Sequence, residues 1–215
     1  MPKKSDKKVE SKTPATEDSS PDESYMEYLR PNHSIDLKIK EIVEDLPESY
    51  TIVIILPGEK HELRYLRLLN HFVEQGMGGV YVTLNNSTHE LLEEMRRQKI
   101  ESNKIVFVDA VTKMIEGQEL SGNAYNYLES PSDLIELGVE IEHAMTDLKG
   151  KGFVIIDSIT TLLMYNKEVS VEKFLHALSQ KIKDLELQGI FLAAESTNKE
   201  AIDTIAQFCD DIKKI

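Results

Sequence analysis

Tyr50 to Leu84 reads YTIVIILPGEKHELRYLRLLNHFVEQGMGGVYVTL. It opens with an unbroken apolar run, Thr51–Leu56, closed by Pro57-Gly58. β-Branched and aliphatic residues in a row, bounded by Pro-Gly, suit a strand buried on both faces, as in a parallel sheet. From Glu62 to Gln75 the apolar residues Tyr65, Leu68, Leu69 and Phe72 recur at helical spacing, with Arg64 and Arg67 in the solvent-facing register. A glycine-rich break at Gly76, Gly78 and Gly79 leads to a second apolar run, Val80–Leu84. The stretch is a βαβ unit, and the rest of the chain extends it.

The turn after the first strand of such a unit is where nucleotide phosphates sit, because backbone N–H groups and the helix dipole attract anions there. A phosphate loop requires G-x-x-x-x-G-K-[ST]: glycines let the backbone curl, Lys neutralises phosphate and Ser/Thr holds Mg²⁺. Here Pro57 and Gly58 fit. Lys60 stands at the closing glycine, His61 at the lysine and Glu62 at the hydroxyl residue. Glu59 and Glu62 add negative charge where a triphosphate needs positive charge. The loop has the right place and the wrong chemistry.

Working outward, strand-like runs alternate with helix-like ones. Ile39, Ile42 and Val43 belong to a helix expected over Leu37–Leu46, with Asp36 as its cap and Pro47 as its stop. Ser87 and Glu90 have capping-box spacing, predicting a helix from Thr88 to Gln98. Lys104–Asp109 is a third buried strand, and its terminal Asp109 is expected to face a ligand crevice. Ala110–Glu129 reads as irregular. Ser130, Pro131 and Asp133 signal a helix start with Ser130 as cap, and Gly150 with Gly152 its end. Phe153–Asp157 is a fourth strand, and Ser170 is expected to cap a helix reaching Leu187, with Gly189 as its break. Ile190–Ala194 is a fifth strand, Thr197 and Glu200 open a further helix, and Asp211–Ile215 is a short last strand. This alternation predicts a three-layer α/β sandwich with a largely parallel sheet.

The order of PG turn, helix, Gly-Val-Tyr-Val-Thr-Leu strand, Glu-Leu-Leu-Glu-Glu-Met helix and Val-Ile-Ile-Asp-Ser-Ile-Thr strand resembles the RecA-like ATPases of the KaiC family. The resemblance spans Tyr50 to Ile215 and is most specific over Gly79–Met95 and Gly152–Leu163. It implies the RecA-type P-loop NTPase fold, common among archaeal signalling and motility proteins. Carried across, the family's phosphate-loop Lys falls on His61 and its Mg²⁺-binding Ser/Thr on Glu62. The acidic pair that activates water falls on Asn85 and Asn86. Only the acidic residue ending the Walker B strand survives, as Asp157, followed by Ser158. An amide takes no proton from water near neutral pH, so the Asn pair is no general base. Phosphoryl transfer rests on positioning and charge stabilisation, and these substitutions remove both.

The expectation is therefore a non-catalytic RecA/KaiC-like domain acting as a regulatory or protein-interaction module, with no catalytic residue, metal site or cofactor. The alternative keeps ATP and Mg²⁺ through an altered loop at Pro57, Gly58, Lys60, His61 and Glu62, with Asp157 and Ser158. Protein partners, an active KaiC-like relative or a second copy, are expected.

Composition sets the outer limits. The 215 residues carry a net charge of −13, which opposes nucleic acid and anionic membranes. Hydrophobic residues make up 40%, enough for a real core. The single Cys209 excludes an internal disulfide framework. No run approaches the ~20 apolar residues of a membrane span, so a cytoplasmic protein is expected. Residues 1–24 are rich in Lys, Ser, Asp, Glu and Pro and read as a disordered charged tail. Residues 25–49 follow as a docking segment, with an aromatic patch at Tyr25, Met26, Tyr28 and Leu29, and the leading helix. The RecA/KaiC-like domain covers 50–215.

Overall fold

The computed structural model describes residues 33–58, 61–115, 117–148 and 151–215, without the side chains of 61–63. The expectations for residues 1–24 and for the aromatic patch lie outside the described residues. In chain order the elements are α1 (His33–Glu44), β1 (Tyr50–Leu56), α2 (His61–Glu74), β2 (Gly78–Thr83), α3 (Thr88–Arg97), β3 (Ile105–Asp109) and β4 (Tyr125–Tyr127). There follow α4 (Leu134–Thr146), β5 (Gly152–Asp157), α5 (Ile159–Tyr165), α6 (Glu168–Asp184), β6 (Gln188–Ala194), α7 (Lys199–Ala206) and β7 (Asp211–Lys214).

The seven strands form one sheet in the order β4-β3-β2-β5-β6-β1-β7. Every pairing is parallel. Period-two alternation sends neighbouring residues to opposite faces. Tyr50, Ile52, Ile54 and Leu56 of β1, Phe153 and Ile155 of β5, and Tyr81 of β2 face α1, α2 and α3. Val53, Val80, Val82, Val154, Ile156 and Phe191 face α4 to α7. Both faces are dry, which is why the strands read as continuous apolar runs. The result is the three-layer α/β sandwich with a RecA-like sheet. Among the described residues, no helix is long and apolar enough to cross a membrane.

Local signals shift several boundaries. The first helix begins at His33 rather than Leu37, so Asp36 lies in its first turn instead of capping it. The irregular 110–129 stretch contributes β4, an edge strand pairing Phe107–Asp109 with Tyr125–Tyr127. Ser130 does not cap α4. Its hydroxyl accepts from Ser132 N, while Asp133 accepts from Ile135 N and Glu136 N and becomes the N-cap. Ser158 caps the short α5, which periodicity alone leaves unseen. Ser170 lies inside α6, whose cap residue Lys167 makes no side-chain bond. Asn198, not Thr197, caps α7 by accepting from Glu200 N. Gly152 and Gly189 lie within β5 and β6 rather than ending helices. At Gly189 a Cβ would stand 2.9 Å from Ile182 Cδ1 and 3.0 Å from Thr51 Oγ1, so helix packing on the sheet leaves no room for one. The capping box at Ser87 and Glu90 is present as predicted.

Candidate functional site

In an open parallel sheet, ligands bind outside the carboxyl ends of neighbouring strands whose following helices leave to opposite faces. Here β2 runs on to α3 on one face, and β5 runs on to α5 and α6 on the other. The two strands are adjacent, with Thr83 opposite Asp157. By this rule one switch point falls at Thr83–Asn86 and Asp157–Ser158, and a second between the ends of β1 and β6. The Pro57-Gly58 turn ends β1, separated from β5 by β6, so it lies about 10 Å from the first by strand spacing.

Asp157 is the last residue of β5 and only 1% exposed. Tyr81 OH donates to its Oδ2 at 2.7 Å, and Asn85 Nδ2 donates to its Oδ1 at 2.7 Å. Asn85 is held from its other side, where Thr161 Oγ1 donates to Asn85 Oδ1. Ser158 Oγ accepts from Thr161 N and lies 3.2 Å from Thr161 Oγ1. The peptide joining Asp157 to Ser158 is cis, and Leu84 N donates to Asp157 O at 2.8 Å. Tyr81, Asn85, Asp157, Ser158 and Thr161 thus belong to one hydrogen-bonded network. Tyr81 is fully buried, and burial, reinforced by the Asp157 charge, pushes its hydroxyl well above the ordinary phenol range. It remains a proton donor to the carboxylate at every ordinary pH.

The remaining residues predicted from sequence disperse. Asn86 takes part through its backbone, its carbonyl accepting from Thr83 Oγ1. Asp109, expected to face the crevice, is fully buried and turned onto its own loop. It accepts from the backbone N–H groups of Thr88, Val111 and Thr112 and from Thr112 Oγ1, between 2.6 and 2.8 Å. It organises the start of α3 and the loop after β3, and nothing of it is offered to a ligand. Pro57 and Gly58 sit at the end of β1, where Glu195 N donates to Leu56 O. A Cβ on Gly58 would meet nothing within 4 Å. Lys60 lies outside the described residues. His61 and Glu62 open α2. Arg67 is not turned to solvent as its helical register suggests. It makes a two-pronged ion pair with Asp36, Nε donating to Oδ1 at 2.6 Å, and ties α2 to α1.

Sequence reading missed Tyr81 and Thr161. The available signal for Tyr81 was a phenol in the middle of a doubly buried strand, where its hydroxyl needs a partner. For Thr161 it was the S-x-x-T spacing from Ser158. Missed for the same reason, Thr160 Oγ1 accepts from Ala194 N at 2.8 Å and lies 2.7 Å from Thr197 Oγ1, joining the ends of β5 and β6.

Among the described residues the groups that touch Asp157 are hydrogen-bond donors rather than further oxygen ligands. A hard cation needs free carboxylate oxygen, hydroxyl or water ligands in octahedral array. Both oxygens of Asp157 are engaged by donors, and one of these, the Asn85 amide, presents N–H rather than oxygen to the carboxylate. Among the described residues no group of three or more His, Cys, Asp and Glu side chains is placed to hold a metal ion.

Three solved structures share this fold. The uncharacterized protein PH0321 from Pyrococcus horikoshii, solved in complex with an unknown peptide, aligns with a TM-score of 0.63 at 10% identity, covering 82% of each chain. The KaiC-like protein PH0186 from the same organism gives 0.54 at 18% identity, covering 77% of this chain and 72% of its own. The flagellar accessory protein FlaH from Methanocaldococcus jannaschii gives 0.56 at 17% identity, covering 84% and 77%. The fold is therefore the RecA-like one that the sequence resemblance implies. Residues 57–213 match the profile of a family described as "Family of unknown function (DUF7504)". No curated protein matches the sequence.

Proposed function

For this chain, which belongs to the DUF7504 family, we propose the role of a non-catalytic RecA-like domain, a regulatory or protein-interaction module in archaeal-type signalling. The observation that carries the proposal is the hydrogen-bond network at Asp157. Its carboxylate, the surviving acidic residue of the resemblance, accepts from Tyr81 and Asn85. Asn85 stands where a general base would be and is itself held by Thr161. A charge buried and satisfied in this way contributes to the fold and is costly to withdraw for chemistry. The partners are proteins, an active KaiC-like relative or a second copy. That PH0321 was solved with a peptide bound supports looking for peptide or protein ligands on this fold.

The test is calorimetric titration of ATP and ADP with Mg²⁺ into the full chain, alongside phosphate release. The expected result is no saturable heat at high micromolar nucleotide and no turnover. Mg²⁺-dependent turnover that disappears in Asp157→Ala would overturn the proposal.

A second reading keeps nucleotide binding without chemistry. It is favoured by the Pro57-Gly58 turn, which leads into the amino end of α2 with open space around Gly58. Backbone N–H groups there, with Lys60, would hold phosphates by the helix-terminus mechanism. Saturable ATP binding that weakens in Lys60→Ala but not in Asp157→Asn selects this reading.

A further inference from the structure

The helices on the α4–α7 face leave an apolar strip uncovered. Of the nine large hydrophobic side chains exposed among the described residues, five lie here: Ile135 at 83%, Val139, Met164 at 78%, Tyr165 and Val169. Singly exposed apolar residues are ordinary, but Ile135 and Val139 stand together on the wall of one cleft. Between α4 and α6 the strip sinks into a cleft of about 220 Å³, formed by Ile135, Gly138, Val139, Phe174, Ala177 and Leu178. A shallower depression continues past Ile135 toward Lys173.

Gly138 sharpens the point. A glycine inside a helix costs roughly 1 kcal/mol relative to alanine. Here a Cβ would meet only Phe174 Cε2, at 3.5 Å, an ordinary contact. Neither backbone conformation nor crowding requires the glycine, and its effect is to deepen the notch. Two features unfavourable to an isolated domain, exposed Ile and Val and an interior helix glycine, coincide at one groove.

The charges along its walls indicate the occupant. The charged residues that line the groove and its continuation divide by helix: Asp133 and Glu142 belong to α4 and its cap, Lys173 and Lys181 to α6, whose acidic residues Glu168, Glu172 and Asp184 lie off the groove. Lys181 pairs with Glu142 across one end. A half-turn about an axis along the groove lays α4 of one copy on α6 of another. Apolar strip then meets apolar strip and the acidic wall meets the basic one. A half-turn about an axis across the groove would set α4 on α4, acid against acid. We infer that this face is an isologous homodimer interface, with α4 of each protomer docked on α6 of the other. The inference supplies a surface for the interaction role proposed above. It fails separately from that role, because nucleotide titration reports on the crevice and self-association reports on this helix face.

The experiment is sedimentation equilibrium of the full chain over the micromolar range. Wild type is expected as a dimer of the 24.5 kDa chain. Ile135→Asp combined with Val139→Asp is expected to weaken association at least tenfold while the circular dichroism spectrum of the folded chain is unchanged. Glu142→Lys and Lys181→Glu, whose positions share one end of the groove and so face each other across the copies, are each expected to weaken it. An equimolar mixture of these two variants is expected to recover the dimer, because both cross-copy contacts are then again between opposite charges. A wild-type monomer up to about 100 µM, weaker than a specific interface of standard size, would overturn the inference, and the groove would then belong to a different protein. A dimer that survives the Ile135/Val139 variant places the interface elsewhere. Absence of recovery in the mixture refutes the α4-on-α6 arrangement.

Discussion

Replacing Tyr81 by Phe removes a single oxygen from the centre of the molecule and tests whether Asp157 is structural. Tyr81 is 0% exposed and Asp157 1%, and the hydroxyl donates to Oδ2 at 2.7 Å. A hydrogen bond to a buried charge contributes about 1.5–3 kcal/mol net, and a charge left with no partner costs more. Here Asn85 Nδ2 still holds Oδ1 at 2.7 Å, so the carboxylate is weakened but not orphaned. Phe fills the same volume apart from the oxygen, so cavity terms are small. The expected loss is therefore about 2 kcal/mol, in the middle of that range. With a urea m-value of about 2 kcal/mol/M for a domain of this size, the midpoint falls by about 1 M. The assay is equilibrium urea unfolding followed by circular dichroism, on Tyr81→Phe, Asp157→Asn and the double variant. The double-mutant cycle should return a coupling of at least about 1 kcal/mol. A Tyr81→Phe loss below about 0.5 kcal/mol, or additive single effects, would refute the claim that the phenol and carboxylate depend on each other.

Three further expectations concern packing and titration. Gly79→Ala should cost about 3 kcal/mol by overpacking, because its Cβ would lie 2.4 Å from the Phe153 ring, which is itself stacked on Phe72 at a centroid distance of 5.1 Å; urea unfolding measures the loss, and Phe153→Leu in the same chain should recover part of it. Burial pushes the Cys209 thiol up to about 12, so a thiol reagent near pH 8 should react at least about a hundredfold more slowly with the native chain than with the urea-unfolded one; equal rates would show the sulfur to be accessible. Burial lowers the His71 pKa, with Glu74 and Asp36 partly offsetting the effect. The unfolded chain therefore takes the proton first as pH falls, and the stabilisation present above about 6.5 is lost below it. Thermal melts from about pH 7.5 to about pH 5 should show a steeper loss for wild type than for His71→Gln, and parallel curves would exclude this histidine as the source.

Much of the architecture was legible in the residues because its causes are local. Continuous apolar runs such as Thr51–Leu56 and Phe153–Asp157 identify strands buried on both faces, and those strands are β1 and β5. Ser87 with Glu90 marks a helix start because the capping box closes within four residues. Where several polar residues compete for one helix start, local reading failed. Asp133 prevails over Ser130, and Asn198 over Thr197, because the chosen cap depends on which donors the preceding turn leaves free. Gly189 failed for another reason: its absent side chain answers to Ile182 and Thr51, distant in sequence.

By itself the sequence determined the alternation of strands and helices, the two-faced burial of the sheet and the absence of a G-x-x-x-x-G-K-[ST] run after Thr51–Leu56. Each follows from residue type and spacing within one or two turns of chain. The tertiary structure decided which donors Asp157 meets. Its partners Tyr81 and Asn85 lie 76 and 72 residues away and reach it only because β2 is laid beside β5. It also decided that Asp109 serves its own loop, that Arg67 pairs with Asp36, and that α4 and α6 border an uncovered groove. Strand order and helix packing set those contacts, and they follow from the balance of the whole core rather than from any local run of residues.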